Sequence, residues 1–304
     1  GLDESYLAVP EFEKTGVSSP FSCFFSMPNV STAACSQLWN LRGYQNTPVA
    51  ACATGTIAVG EAYDAIRFGR ASMLLAGAGE SLNSVCAIWN IDVLGALSRE
   101  TESPERASCP FSLQRSGFVL SEGGAVLCLE ERESALARGA TILAEVTGYA
   151  NFSDAVDFTS PAEDCVAREQ TIRWALRAAD LQPADLDYIN AHGTSTPLND
   201  INETLSLKKA LGDEAFRIPV SSTKAYSGHL IAAAGSFETI VCLQAMAAGL
   251  MPATAHLTQP DPQCDLDYIA EGHRQGEIRR ALNLSFGFGG ANAVAVVTYD
   301  QEER

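Results

Sequence analysis

The order of its apolar segments restricts the fold of this chain more than any other feature. Short runs rich in small and β-branched apolar residues at 47–51, 72–76, 124–130, 142–149, 186–191, 219–222, 281–285 and 293–298 read as strands. Segments 54–68, 163–179, 197–211 and 228–248 between them read as helices. Strands that alternate with helices imply a parallel or mixed sheet covered by helices on both faces, an α/β fold. The alternation restarts near ARGAT at 137–141, which predicts two similar halves, 1–138 and 139–304. Region 94–117, with Pro104, Pro110 and poor periodicity, is expected to be a long loop of the kind that often carries function.

Composition narrows the partners. The segment IAAAGSFETIVCLQAMAA at 231–248 is too uniformly apolar for a surface helix and is expected between layers, where its small side chains allow close approach to a sheet. No apolar run is expected to span a membrane, and no charged-then-apolar leader opens the sequence. The balance of 37 acidic against 20 basic residues, a net charge of −17, disfavours nucleic acid and anionic membranes. Nine scattered cysteines, never spaced as CxxC, suit reduced thiols in a cytoplasmic enzyme rather than a disulfide scaffold or a zinc site. The opening GLDESYLAVPEFEK does not read as a first strand, so an amino-terminal truncation is expected.

Against that background, the reactive side chains stand out. Cys52, in ACATGT, is expected after a short strand and at a helix start, where the macrodipole and free N–H groups favour thiolate and small neighbours leave room for a substrate. His192, in AHGTSTPLND, ends an expected strand, the end at which open α/β sheets collect their sites, and Thr196 is placed to cap the helix opened by Pro197. His229 and Lys224 share SSTKAYSGHL, where a lysine supplies positive charge that keeps an imidazole neutral and attracts a carboxylate. Glu238, an acid on the apolar helix, calls for such a partner. Phe288 sits in SFGFGGAN, either a plain hairpin turn or a gate that lends an N–H to an oxyanion hole. Asn199 and Asp200 read as first-turn helix residues, and His256 and His273 as structural. One thiol and two imidazoles point to covalent acyl chemistry.

With ACATGT, NAHGTSTPLND, SSTKAYSGHLIAAAG and NLSFGFGGAN in this order, the chain resembles the β-ketoacyl-acyl carrier protein synthases of the elongating I/II type from about residue 27 to 297. The resemblance implies the thiolase-like fold, with two pseudo-repeated halves stacked as αβαβα layers, and a cytoplasmic homodimer. It implies decarboxylative Claisen condensation of an acyl-enzyme with malonyl-acyl carrier protein in fatty acid or polyketide elongation. Cys52 would be the acylated nucleophile, with its backbone N–H and that of Phe288 as oxyanion hole. His192 and His229 would assist decarboxylation, Lys224 and Glu238 would complete the set, and Thr194 and Thr196 would contact the pantetheine arm. Acyl carrier protein would be the partner, and no metal or redox cofactor is implied.

Three departures accompany the likeness. The family has further amino-terminal residues that supply central strands, without which apolar surface and strand edges would be left open. Ser112 and Ser116 stand where the family commonly has aspartates, in a loop expected to move with the GFGG gate. Much of the basic docking surface is absent, leaving Arg42, Arg67 and Arg70 as candidates. An alternative reading is a non-catalytic, chain-length-determining partner subunit of a ketosynthase pair, against which Cys52 argues. A degradative thiolase would need a second catalytic cysteine late in the chain, and none follows Cys264.

Overall fold

A computed structural model describes residues 27–299 and, ahead of them, residues 9, 10, 12–17, 19 and 24; the opening GLDESYLA and Cys23 lie outside the described residues. In chain order the helices are α1 (Val30–Leu38), α2 (Thr54–Arg67), α3 (Val85–Asp92), α4 (Arg132–Ala137), α5 (Val166–Ala178), α6 (Pro197–Leu211), α7 (Lys224–Ser227) and α8 (Ala234–Ala248). The strands are β1 (Met73–Glu80), β2 (Gly123–Glu130), β3 (Glu145–Ser153), β4 (Tyr188–Asn190), β5 (Val220–Ser221), β6 (Leu250–Met251), β7 (Arg274–Gln275), β8 (Arg280–Gly287) and β9 (Ala291–Thr298).

A mixed five-stranded sheet in the order β3-β9-β8-β4-β5 organises the carboxy-terminal part. Its β8–β9 and β3–β9 pairs are antiparallel, and β4 runs parallel to both β8 and β5. Both faces of this sheet are covered, so successive residues of its central strands are buried on either face, 281–286 on β8 and 292–297 on β9, with Asn283, Ser285 and Asn292 among them. On β8 and β9, Leu282, Leu284, Phe286, Val294 and Val296 face the cluster that includes Ile172 and Leu176 of α5 and Leu207 of α6. Ala281 and Val297 face Cys242, Ala245 and Met246 of α8, and Ala293 meets Ile57 of α2. Beyond α2 lies the antiparallel pair β1–β2, whose Ala76, Leu74, Leu127 and Leu129 pack on Val59 and Ala62.

Helix α8 bears out the expectation of a buried, small-sided element. A Cβ on Gly235 would meet Thr56 Oγ1 at 2.2 Å, and one on Gly55 would meet the Ser236 nitrogen at 2.5 Å, so bare backbone is required where α2 and α8 cross. Asn283 of β8 donates to Gly235 O at 2.8 Å and to Thr239 Oγ1 at 2.9 Å, tying the helix to the sheet. Contrary to the expectation drawn from hydropathy, Ile231–Ala248 is long and apolar enough by length and composition to cross a membrane. Here it is a core helix, with Gly235, Glu238, Cys242 and Met246 among its buried residues.

Other expectations need correcting. Residues 47–51 form no strand: Ala50 donates its N–H to Thr54 Oγ1 at 2.9 Å, a local bond in place of a ladder, and Ala51 then enters the left-handed region at φ 45°. The helices α1 and α3 were not foreseen. Among the described residues the amino-terminal sheet has two strands, and Met73, Leu75 and Val126 stand exposed on one of its faces. Region 94–117 is a loop broken only by the single turn Pro104–Arg106. The eight described cysteines are free.

Candidate active site

Four backbone features converge on one buried point. Cys52 lies in the 3-10 turn Ala51–Ala53 that leads into α2. His192 follows β4, which sits between β8 and β5 with all three parallel, so its carboxyl end opens into a crevice. His229 follows α7 and is held in register by its N–H, which donates to Val119 O at 2.7 Å. Phe288 occupies the β8–β9 turn Phe288–Gly290, where Gly289 at φ 80° and Gly290 at φ 76° take backbone shapes that other residues avoid. The segment is thus a hairpin turn between the antiparallel strands β8 and β9.

Cys52 Sγ and a ring nitrogen from each of His192 and His229 all lie within 4.8 Å of one another, and all three side chains are buried. The imidazoles meet edge to face, with centroids 5.4 Å apart and planes at 80°. Cys52 packs in an apolar cluster with Phe118 and Ile231, against which Leu82, Ile91, Leu97 and Phe288 form an apolar wall. Ala51 and Ile231, at φ 45° and 46°, border this wall in a conformation that costs of order 1–3 kcal/mol each for a non-glycine residue.

Electrostatics settle the resting protonation. Both imidazoles are pushed well below the ordinary histidine value, first by burial and then by the Lys224 ammonium; His229 and Arg168 add to the effect on His192. The Ile231 N–H donates to His229 Nδ1 at 3.2 Å, so the proton of this neutral ring sits on Nε2, which has no partner among the described residues. By residue type the trio could hold a soft divalent cation, but His229 presents an N–H there rather than a lone pair. For Cys52 the thiolate expectation is corrected. Burial pushes the thiol up to about 11, outweighing the Phe288 N–H, the Lys224 ammonium and its own N–H, which pull it down.

Lys224 is 1% exposed, not a solvated surface lysine. Its Nζ donates to His192 O at 2.5 Å and forms a buried ion pair with Glu238 Oε1. The acid that the sequence placed on the apolar helix thus has its partner. Burial raises the Glu238 carboxyl to about 7 against the pull of that ammonium. Thr194 and Thr196 bond each other through their hydroxyls at 2.9 Å on the turn after His192. Thr196 is therefore the N-cap of α6 by position but makes no capping bond with its side chain.

The structure adds residues that sequence reasoning missed. Glu203 of α6 accepts the backbone N–H groups of His192 at 2.6 Å and Gly193 at 2.8 Å. Asp200 accepts from the Phe111 N–H at 2.9 Å and lies 3.5 Å from Arg115, which also pairs with Asp261 at 2.7 Å. The available signal was the i, i+1, i+4 spacing of Asn199, Asp200 and Glu203, which puts three polar groups on one helix face turned toward the His192 loop. The Ser112 hydroxyl donates to Gln259 O and accepts the Gln114 N–H, and the Ser116 hydroxyl bonds the Ser98 hydroxyl and accepts the Arg99 N–H; at the 288–290 turn, Gly289 donates to Phe158 O at 2.7 Å and Asp154 donates to Gly290 O at 2.9 Å. His256 and His273 bond loop backbone at Ser108 O and the Ala253 N–H. Arg42, Arg67 and Arg70 are exposed.

The chain matches the family descriptions "Beta-ketoacyl synthase, N-terminal domain" over residues 4–135 and "Beta-ketoacyl synthase, C-terminal domain" over residues 143–258. It is 41% identical over 271 residues to a putative polyketide beta-ketoacyl synthase 1 of Streptomyces halstedii, covering 89% of this chain and 64% of that one. It is likewise 41% identical over 274 residues to the 3-oxoacyl-(acyl-carrier-protein) synthase 2 of Synechocystis sp., covering 90% and 66%. The chain thus spans slightly less than two thirds of the length of these relatives. Among solved structures, a ketosynthase described in complex with its type II polyketide acyl-carrier protein and bound to the hexaketide superposes with a TM-score of 0.93 at 37% identity, over 99% of this chain and 75% of that one. The layered α/β fold is therefore the thiolase-like one, and the chain belongs to the β-ketoacyl synthase family.

Proposed function

We propose that this chain carries the condensing centre of a β-ketoacyl-acyl carrier protein synthase, an acyltransferase of the elongating type. The observation that carries the reading is the buried Cys52, His192 and His229 cluster, with mutual donor distances within 4.8 Å. In the first step the Cys52 sulfur attacks the thioester of an acyl-carrier protein. The acyl group moves to sulfur and the thiol proton ends on the released pantetheine thiol. Backbone N–H groups of Cys52 and Phe288 stand beside the sulfur, where the oxyanion of this step develops.

In the second step a malonyl thioester takes the crevice, its arm along Thr194 and Thr196. The bond between its α-carbon and carboxylate breaks, carbon dioxide leaves, and the electron pair is held as an enolate. His192 and the Nε2–H of His229 donate to the enolate oxygen, a task for which neutral imidazoles are suited, the His229 Nε2–H being left free by the bond that Nδ1 accepts from Ile231. The carbanion then attacks the acyl-Cys52 carbonyl, a carbon–carbon bond forms, and the departing Cys52 sulfur takes up a proton. No metal or redox cofactor enters. Lys224 and Glu238 act behind the histidines, since Nζ fixes the His192 carbonyl. The proposed partners are acyl carrier protein, met by exposed Arg42, Arg67 and Arg70, and a second copy of the chain, in a cytoplasmic setting.

Mass spectrometry after incubation with acyl-carrier protein tests the assignment. Wild type should gain an acyl adduct at Cys52 that Cys52→Ala lacks, and an adduct retained in the mutant refutes the nucleophile. His192→Ala and His229→Ala should still acylate but release carbon dioxide from malonyl-carrier protein about 10²- to 10⁴-fold more slowly. Unimpaired release contradicts their roles.

A further inference from the structure

Arg168 is a charged side chain in a buried place. It stands in the first turn of α5, is 5% exposed, and burial lowers its guanidinium from the ordinary value. A cation is kept in such a position only where it is compensated. Nη1 donates to Asn199 Oδ1 at 3.1 Å, Cζ lies 4.2 Å over the Phe286 ring, and the strongest opposing charges are Glu203 and then Asp154.

These neighbours belong to two different parts of the site. Glu203 holds the His192 and Gly193 N–H groups, and Asn199 Nδ2 donates to Glu203 Oε2 at 3.3 Å. Asp154 belongs to the other part: Asn292 Nδ2 donates to its carboxylate at 2.8 Å, and its own N–H donates to Gly290 O at 2.9 Å beside Phe288. Phe286 touches both parts, since its ring stands edge-on to His192 at 5.9 Å and its backbone leads into the Phe288 turn. We propose that Arg168 is a positioning residue that ties the His192 turn to the 288–290 turn, its guanidinium bonded to Asn199 on the Glu203 side and its plane laid on Phe286, whose backbone leads into the Phe288 turn.

The consequence follows from Glu203. Burial raises the Glu203 carboxyl, and Arg168 and Lys224 are the cations that oppose this; with Arg168 gone it holds a proton more readily, and a protonated carboxyl has less acceptor capacity for two backbone N–H groups. His192 would then lose its fixed place beside Cys52, while Cys52 itself, held in the turn 51–53 that leads into α2, would not move. Arg168 acts through His192 and touches no substrate.

This inference rests on the condensing reading above, and its test separates the two. The full chain is made as wild type, Arg168→Met, Arg168→Lys and Asn199→Ala with isotope-labelled histidine. With four histidines in the chain, each ring can be followed by NMR. Arg168→Met should move the His192 ring signals and leave those of His256 and His273 in place. It should leave acylation at Cys52 intact and slow malonyl decarboxylation by about ten- to a hundredfold, the scale of a small misplacement of a reacting group. Arg168→Lys should recover part of that loss, because it restores the charge without the planar cover. An Arg168→Lys protein no better than Arg168→Met, or unmoved His192 signals in Arg168→Met, overturns the proposal. If Arg168→Met does not fold, Asn199→Ala breaks the bridge with the guanidinium in place, and His192 signals unchanged in that variant overturn it equally. A wild type that neither acylates nor decarboxylates ends the condensing reading but leaves the NMR comparison standing.

Discussion

Replacing Lys224 with Met keeps the side-chain length and removes the ammonium from a pair whose members are each 1% exposed. Nζ serves two acceptors, His192 O and Glu238 Oε1, and Glu238 Oε2 has no partner among the described residues. The mutant therefore buries a carboxylate with no counter-charge and leaves a carbonyl without its donor. Removing one partner of a buried pair costs about 3–5 kcal/mol. The carboxyl can escape most of this cost by taking a proton, which makes the deficit depend on pH. Burial already raises Glu238 to about 7 with the ammonium present, so without it the folded-state value is higher still.

In the unfolded chain a glutamate titrates near ~4.3. Between that value and the raised folded one, the folded state holds the extra proton, so stability falls as pH rises, by about 1.4 kcal/mol per unit at most. For wild type this loss ends near 7, whereas in the mutant it continues beyond, and the gap between the two widens above neutrality. Urea unfolding followed by tryptophan fluorescence at about pH 6 and about pH 8.5 should show a small deficit at the lower pH and the full several kcal/mol at the higher. The double mutant Lys224→Met/Glu238→Leu should recover most of the loss, because two apolar groups leave nothing buried and uncompensated. A deficit below about 1 kcal/mol at the higher pH, a deficit that ignores pH, or a double mutant no more stable than the single one refutes the argument.

Further expectations concern packing and the thiol. In Gly60→Ala the new Cβ would lie 2.1 Å from the Tyr149 ring, so α2 must shift from β3, and the thermal midpoint should fall by the equivalent of about 1–3 kcal/mol, while a midpoint equal to that of wild type would show the contact to be soft. Alkylation of Cys52 by iodoacetamide should speed up with each step in pH through 9 and toward about 11, read by mass spectrometry of the labelled peptide. A rate already level at neutral pH would mean that the helix start holds a thiolate despite burial.

Local pattern was legible where one segment decides its own structure. The helices at 54–67, 197–211 and 166–178 were found within three residues at either end, because their periodicity and Pro197 act within a few turns. The run at 47–51 was misread because apolar alternation states only that a strand is possible, and pairing needs an edge that the described residues do not supply at that point. Helix α3 was hidden for the opposite reason. Val85, Ile88 and Trp89 are exposed while Ile91 reaches the Cys52 cluster, so it lacks the buried stripe that marks a helix in sequence.

The sequence by itself determined which side chains could do chemistry. Cys52, His192, Lys224 and His229 sit among small residues, Glu238 is a lone acid on an apolar helix, and the glycines around Phe288 permit a tight turn. The tertiary structure alone decided their state. Burial, a property of the whole fold, keeps the Cys52 thiol protonated against its helix start and keeps both imidazoles neutral. The partners that fix the His192 turn come from other elements: Glu203 from α6, Lys224 from the segment after β5, and Arg168 from α5. Lys224 lies 32 positions from His192 and Arg168 lies 31 from Asn199, spans that no local pattern encodes, whereas Glu203 lies 11 from His192 and left a partial signal in its helix spacing. These contacts arise only once the sheet has brought its strand ends and the starts of its helices to one crevice.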